Sequence, residues 1–477
     1  MNKKIITTFI LCFFGGAVAF NISAQEYKNF DLSKYYTPDI VRNQLDVSGS
    51  SSGSLNSTLN TSNDNAINGN LNANFSNYIN TRKLIRTINA NLSLSGSASS
   101  ENGLTTGINQ QTGTFYNSAG VGMYYQLFNP TNKFLSFGGN INYGYNSSFS
   151  KTDSLNKADI IKQNLLSSNL NLYIGVGIGR VEIVTDAQQA IYLLDAFSKN
   201  NVLGRDLSNN EIFNLSQEIS RIKNKRFLDA RLHLIDEVSH VDSFLVTNNL
   251  IKKSDANYFT TLYDIWLYGD KFERKAGQSI ELRFTPNIRI DNSYSKIAYE
   301  FTNHSDSEGK GNSLYSNYNL SLIYNYEKPF NQKWQHSVNA SLNGILNYSN
   351  YTSTPILPIN NESKSAYDTK YAIANASYKL GYYPNTRTNL YAQINQYVGY
   401  NFYTSSTING NQQVDNEKIL TSNTSIDFGT YYYFSPQLRL SANFDLSNNH
   451  SVYYNSSYPV FNELNGQFSV GMNYSFF

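Results

Sequence analysis

Phe468, Val470, Met472, Tyr474 and Phe476 alternate with Ser469, Gly471, Asn473 and Ser475, and the chain stops on Phe477. A side-chain period of two makes an extended strand with one apolar and one wet face. The same alternation recurs through most of the chain, for instance at Leu170, Leu172, Ile174, Val176 and Ile178. Only 15% of residues are charged, Tyr outnumbers Trp 38 to 2, and the mean hydropathy is −0.43 because Asn and Ser fill the alternate positions. Such a composition is poorly suited to a dry core and well suited to a sheet with lipid on one side and water on the other. After the N-terminal segment no run approaches the 18 or so apolar residues of a membrane helix, so a membrane would be crossed by strands.

The chain divides readily. Lys3 and Lys4 precede an apolar run from Ile5 to Val18, which reads as a secretory signal cleaved after Ala24, with Ala17-Val18-Ala19 as the alternative site. The single cysteine, Cys12, lies inside that run without a lipobox, which leaves the mature protein without a thiol. Residues 25–43, with Pro38, are expected as a lead-in, periplasmic if the resemblance given below holds, and six strands are expected over 44–180. The first, from Gln44 to Asn60, is the weakest, with only Val47, Leu55 and Leu59 on its apolar side. From 181 to 277 the period becomes helical, and 26 of those 97 residues are charged, against 46 of the other 380. One helix is expected over Asp186 to Lys199. A second opens at Ser208 with a Ser-x-x-Glu capping box and runs toward Val246 with a bend at Lys223 to Arg226. Its later apolar stripe is Leu228, Leu232 and Ile235, and a third helix near Ser254 to Gly269 buries Phe259, Leu262, Ile265 and Trp266. Eight more strands fill 278–477, the first running from Ile280 toward Phe301 unless it turns at Asp291-Asn292. Tight turns are expected at Thr81–Lys83, Asn129-Pro130, Lys328-Pro329, Pro384-Asn385 and Ser435-Pro436. Ser100 to Gln111, Tyr351 to Ala366 and Ser405 to Glu417 read as long polar loops.

A closing strand that ends on an aromatic, in a chain with a secretory signal, resembles the last strand of Gram-negative outer-membrane β-barrels, here in the Asn- and Tyr-rich style of Bacteroidota. In that family the terminal Phe lies in phase with the apolar set. Here Phe476 is in phase and Phe477 is one residue beyond it, so Tyr474, Phe476 and Phe477 together make the assembly terminus. The resemblance implies an all-β fold: a transmembrane antiparallel β-barrel of about 14 strands with an inserted α-helical module. It implies outer-membrane lipid and the barrel-assembly machinery as partners, with short turns in the periplasm and long loops outside. Counting strands back from the terminus, and forward from a periplasmic start, puts the 181–277 module in the periplasm. The resemblance is one of pattern and brings no functional motif.

Candidate sites are few. Glu281, Arg283, Arg289, Asp291, Asp427, Arg439 and Asp445 fall on the lumen phase, mixed in sign, which suits a braced wall better than an ion-selective ladder. Gly175, Gly177 and Gly179 are expected to leave a bare strip of inner wall, covered by the module's first helix or the lead-in. Arg180 and Glu182 stand where a dinucleotide loop needs its third glycine, so that motif fails. His233 and His240 share a helix face without zinc-motif partners, and His336 sits beside Trp334 in the interfacial phase. No catalytic, cofactor or metal residues are assigned. The net charge of +2, with no basic stripe, argues against nucleic acid. The module's Arg221, Lys223, Lys225, Arg226 and Arg231 interleave with Glu218 and Asp229, a solvated helix face or a docking face for a periplasmic protein or the cell wall. Two functions are consistent with this: a channel for small polar solutes, or an anchor whose module recruits a periplasmic machine.

Overall fold

The structure, a computed structural model, describes residues 30–58, 62–103, 107–154, 157–205, 207–224, 230–252, 255–300, 306–357, 362–409, 411–415, 418–435, 437–454 and 460–474. The signal segment with Cys12, and Phe476 and Phe477, lie outside the described residues.

One antiparallel sheet contains every strand. In chain order these are β1 (Ile40–Thr58), β2 (Ser62–Asn80), β3 (Leu84–Gly103), β4 (Ile108–Phe128), β5 (Lys133–Ser154), β6 (Lys157–Ile183) and β7 (Lys275–Tyr299). They continue with β8 (Ser307–Pro329), β9 (Trp334–Leu357), β10 (Ser363–Asn385), β11 (Thr388–Ile408) and β12 (Asn411–Asp415), then β13 (Lys418–Tyr433), β14 (Leu438–Tyr454) and β15 (Val460–Tyr474). Each pairs with its sequence neighbour, so 14 strands form a continuous meander, while the short β12 pairs only with β11. That arm lies inside the Ser405–Glu417 stretch expected as a loop. β7 is a single strand through Asp291 and Asn292. Among the described residues nothing pairs β1 with β15, and both edge strands are exposed along almost their whole length.

Burial runs opposite to that of a water-soluble protein. On one face Val470 (69% exposed), Leu342 (58%) and Val176 (57%) stand open, while on the other Ser136 (0%), Ser321 (5%) and Glu281 (6%) are covered. A sheet with its apolar face outward and its polar face sheltered is built for lipid outside and water within.

The apolar outward residues are densest in the half of each strand nearest the short turns (Val41, Leu45 and Val47 on β1, Leu170 to Ile178 on β6, and Ile280 to Ile290 on β7), with single ones such as Leu55, Ile67, Leu314 and Leu464 beyond it. That is close to the 9–11 residues a tilted strand needs to cross a bilayer. Trp334 packs on Tyr382 at 4.4 Å, and Phe434 lies against Tyr432 at 4.8 Å, at the turn-side border of this belt, as an interfacial girdle requires. Beyond the belt, outward positions turn polar (Asn164, Lys162, Asn292, Lys296) and pairing nevertheless continues, so β6 reaches 27 residues. The stretches expected as long loops at Ser100–Gln111 and Tyr351–Ala366 are therefore mostly paired strand. Both their faces are wet, which erases the alternation while leaving the backbone ladder intact.

Four helices lie between β6 and β7: α1 (Thr185–Lys199), α2 (Asn209–Asn224), α3 (Ala230–Thr247) and α4 (Ala256–Tyr268). Ile191, Leu194 and Phe197 of α1 are buried with Leu215 and Ile219 of α2 and Leu262 and Trp266 of α4. The capping box forms: Ser208 N–H donates to Glu211 Oε2 at 2.9 Å, and Glu211 N–H donates to Ser208 Oγ at 3.4 Å. The Arg205 guanidinium, with the Ser208 donors, holds the Glu211 carboxyl at about 2. Of the long second helix the structure describes Asn209–Asn224 as α2 and Ala230–Thr247 as α3, and Lys225, Arg226, Leu228 and Asp229 of the expected bend lie outside the described residues. Ile235 is 78% exposed and Phe259 is 45% exposed, so neither belongs to the buried stripe expected of it. α3 instead buries Val241 and Leu245, and Phe259 lies on the outer edge of Tyr258. Phe30, Leu32 and Tyr35 enter the same core, so this part of the lead-in packs as part of the helical body. Burial raises the Tyr35 hydroxyl above its ordinary range, and that hydroxyl donates to the Ser216 carbonyl at 3.3 Å.

Candidate functional site

The sheltered face of the sheet is the candidate site. Strand register puts asparagines opposite one another across five successive strands, from Asn140 through Asn171, Asn287 and Asn317 to Asn347. Amides at this spacing bond across strands: Asn317 donates to Asn347, which donates to the Tyr371 hydroxyl, and one row away Asn287 Nδ2 donates to Asn169 Oδ1 at 2.7 Å.

The charged lumen candidates all take this face. Arg283 Nη2 lies 2.8 Å from Glu281 Oε2, and Arg289 Nε lies 2.9 Å from Asp291 Oδ1. Arg283 also stands over the Tyr173 ring at 5.1 Å. Both pairs link residues two apart on β7, which neutralises charge locally and stiffens the wall. Asp427 faces Asp445 across the β13–β14 register and accepts from Asn395 Nδ2 at 2.6 Å. Arg439 is opposite Tyr433, with its guanidinium 5.4 Å from the Tyr431 ring centroid. Arg439 and Asp445 are six residues apart along β14 and Asp427 is on β13, so the three form no ladder of one sign. Tyr474 ends β15 opposite Leu438. Among the described residues no group of three His, Cys, Asp or Glu side chains is arranged to hold a metal. His336 Nδ1 meets the Tyr378 hydroxyl at 2.6 Å.

The glycine strip is not bare, and the atoms nearest to it belong to β5 and β7. A Cβ on Gly177 would sit 2.3 Å from the Phe134 ring and 2.5 Å from the Ile280 carbonyl oxygen. One on Gly175 would meet Glu281 Oε1 at 2.6 Å and Ser136 Oγ at 2.7 Å, the pair that bonds across the gap at 2.5 Å. Gly179 takes φ +97°, which favours glycine on its own account. The glycines thus make room for side chains of the adjoining strands, β5 and β7. Gly177→Leu is expected to destabilise the sheet by roughly 1–3 kcal/mol through overpacking against backbone that cannot move aside. A downward shift of the temperature at which the heat-modified gel band appears checks this, and an unchanged temperature contradicts it.

The helices pack against the turn end of the sheet. Arg274, which is 1% exposed, donates from Nε to Gln335 Oε1 at 2.6 Å and from Nη1 to Gln188 Oε1 at 3.2 Å. Its remaining donors reach the carbonyls of Gln332 at 2.8 Å, Asn331 at 2.9 Å and Trp334 at 3.1 Å, and Tyr383 lies beneath its plane at 4.5 Å. The group is fully used by neutral acceptors. On α4, Asp264 pairs with Arg387 of the β10–β11 turn, which stacks over Tyr268 at 4.0 Å and reaches the Phe434 carbonyl at 3.5 Å. Arg82 of the β2–β3 turn binds Glu182 at 2.9 Å and lies over Tyr36 at 4.1 Å, and Tyr36 packs on Phe213 of α2 at 5.0 Å. α2 also touches β1, which is eleven positions from β13 in the sheet order. In a flat sheet that separation is about 50 Å at roughly 4.8 Å per strand. The longest helix has 18 residues, about 27 Å. One small body meets both regions because the sheet curls around it.

The sequence shows the lumen phase but neither the asparagine row nor Arg274. The row depends on register between strands, and the partners of Arg274 lie 57 to 86 residues away.

An antiparallel meander with apolar residues outward and polar residues sheltered is the architecture of outer-membrane β-barrels. No protein-family model matches the chain, and no curated protein matches it. Among solved structures it is similar to the translocator domain of autotransporter NalP from Neisseria meningitidis, at 12% identity and a TM-score of 0.25, over 83% of this chain and 90% of that one. It is also similar to the Pseudomonas putida toluene transporter TodX, at 9% identity and a TM-score of 0.26, over 95% and 99%. The transport unit of the autotransporter AIDA-I from Escherichia coli matches at 10% identity and a TM-score of 0.17, over 100% and 98%. With TM-scores this low none of them superposes closely on this chain.

Proposed function

We propose that this protein is an outer-membrane β-barrel that passes small polar solutes, with the helical body as a cap on its periplasmic mouth and no catalytic step of its own. The inverted burial carries the reading: a polar sheltered face has no use in a protein that excludes water from its interior. Unpaired strand edges are not tolerated in lipid, so the working form closes β1 against β15. The helices share their end of the sheet with the short turns and with Tyr474, which by the resemblance is the periplasmic end.

Arg274 favours a second reading. A joint in which Arg274 makes four hydrogen bonds to the β8–β9 turn and one to Gln188 of α1 suits an anchor better than a swinging gate, and such a cap would dock a periplasmic protein or the cell wall. Planar-bilayer recordings of the full chain separate the two. Steady openings are expected, and a protein folded by heat-modified mobility that stays silent overturns the channel. On whole cells, a cysteine at Ser239 on α3 is expected to resist an impermeant maleimide while one at Lys157 labels. Labelling at Ser239 would put the cap outside.

A further inference from the structure

The polar face holds a recess of about 380 Å³ across β3 to β7. It is lined by Asn91 of β3, Tyr116 of β4, Asn142 and Asn146 of β5, Asn169 of β6 and Arg289 of β7. Asn91, Gly120, Asn142, Asn169 and Arg289 are successive register partners, so one row crosses five strands. Gly120 lets the two amides converge at the edge of the recess: a Cβ there would stand 2.4 Å from Asn142 Oδ1 and 2.6 Å from Asn91 Oδ1, so both amides lie over the glycine. The asparagine row described above runs alongside, with Asn142 Nδ2 donating to Asn140 Oδ1 at 3.1 Å.

We propose that this recess binds a unit of a neutral oligosaccharide, which names the solute class of the channel proposed above and rests on that reading. Each amide offers an acceptor and two donors. Facing amides about 5 Å apart can engage neighbouring hydroxyls on one ring, and the Tyr116 face offers an aromatic surface to the ring's C–H side. The charge present is locally cancelled, because Arg289 is paired with Asp291, so a small ion finds no field of one sign to follow. An apolar solute would strip water from the donors and acceptors that the row's own bonds leave over, at a cost its contacts do not return. A polyol satisfies them.

Isothermal titration of the detergent-solubilised full chain with maltohexaose and with chitohexaose tests this. Saturable binding of at least one is expected, weakened tenfold or more by Asn142→Leu and unchanged by Asn423→Leu, a polar-face position remote on β13. Should Asn142→Leu fail to fold, Asn91→Ser carries the same expectation with a smaller change. No saturable binding of either sugar overturns the proposal, as does binding that Asn142→Leu and Asn91→Ser leave unaltered. The two readings fail separately. A chain that binds sugar in titration but is silent in bilayers keeps the site and loses the channel, and one that conducts without binding loses the site alone.

Discussion

Replacing Arg274 with alanine is expected to undock the helical cap while leaving the sheet folded. The wild-type guanidinium satisfies three backbone carbonyls and two side-chain amides in a site closed to solvent. Burial lowers the pKa of this group, with Tyr383 and Tyr192 opposing, and five hydrogen bonds offset its lost hydration. Truncation orphans those acceptors at about 1–3 kcal/mol each, less whatever water returns, so roughly 3–5 kcal/mol is at stake in the joint between α1, the segment that leads from α4 into β7, and the β8–β9 turn. Lysine would keep the charge but not the planar fork, and is expected to recover only part of the loss. Limited proteolysis reads the result: cleavage between 185 and 268 should accelerate at least tenfold in Arg274→Ala, with the sheet fragments still resistant. Equal protection of cap and sheet in the variant would show that the apolar seam around Phe272, Tyr383 and Tyr433 holds the cap by itself.

The second large effect belongs to the outer face. Leu172 is 47% exposed, in the middle of the belt on β6. Leu172→Arg is expected to cost roughly 2–4 kcal/mol, the penalty for a guanidinium at mid-bilayer depth on a lipid-facing barrel position. Asn89→Arg, on the polar phase of β3, should fold like the wild type, because its side chain enters water. Urea unfolding in lipid vesicles measures both. Equal effects would mean that the two faces see the same solvent, and the membrane assignment would fall with them.

The parts of this fold that could be read from sequence are those where two solvents meet. Leu170 to Ile178 announce a strand because lipid selects one phase and water the other. Beyond the belt, Ser97 and Ser99 bond to Thr114 and Thr112 across β3 and β4 at 2.5 and 2.6 Å, yet nothing in their order distinguishes strand from loop. The helices were visible through charge and period, but the exposed Ile235 and Phe259 show that an apolar residue at the right spacing need not face the core. The lumen phase of Glu281 and Arg283 followed from alternation. The filling of the glycine strip by Phe134 did not, since it depends on which residues of β5 stand opposite β6. Arg274 looks like one charge among many, and only the folded turn after β8 supplies its carbonyl partners.

The length of the strands sets an electrical expectation. At about 3.3 Å per residue and a tilt near 40°, strands of this length stand roughly 50–70 Å tall, against an apolar band of about 25 Å. β6 and β7, at 27 and 25 residues, are the tallest. In the closed, open-bore form proposed above, half or more of the wall would therefore rise as a shaft outside the bilayer. Ohmic resistance grows in proportion to the length of a water-filled cylinder. Such a shaft would conduct less than half as well as a pore of equal bore cut flush with the membrane, and much of its resistance would lie where shortening the loop-side ends of β6 and β7 could remove it without touching lipid.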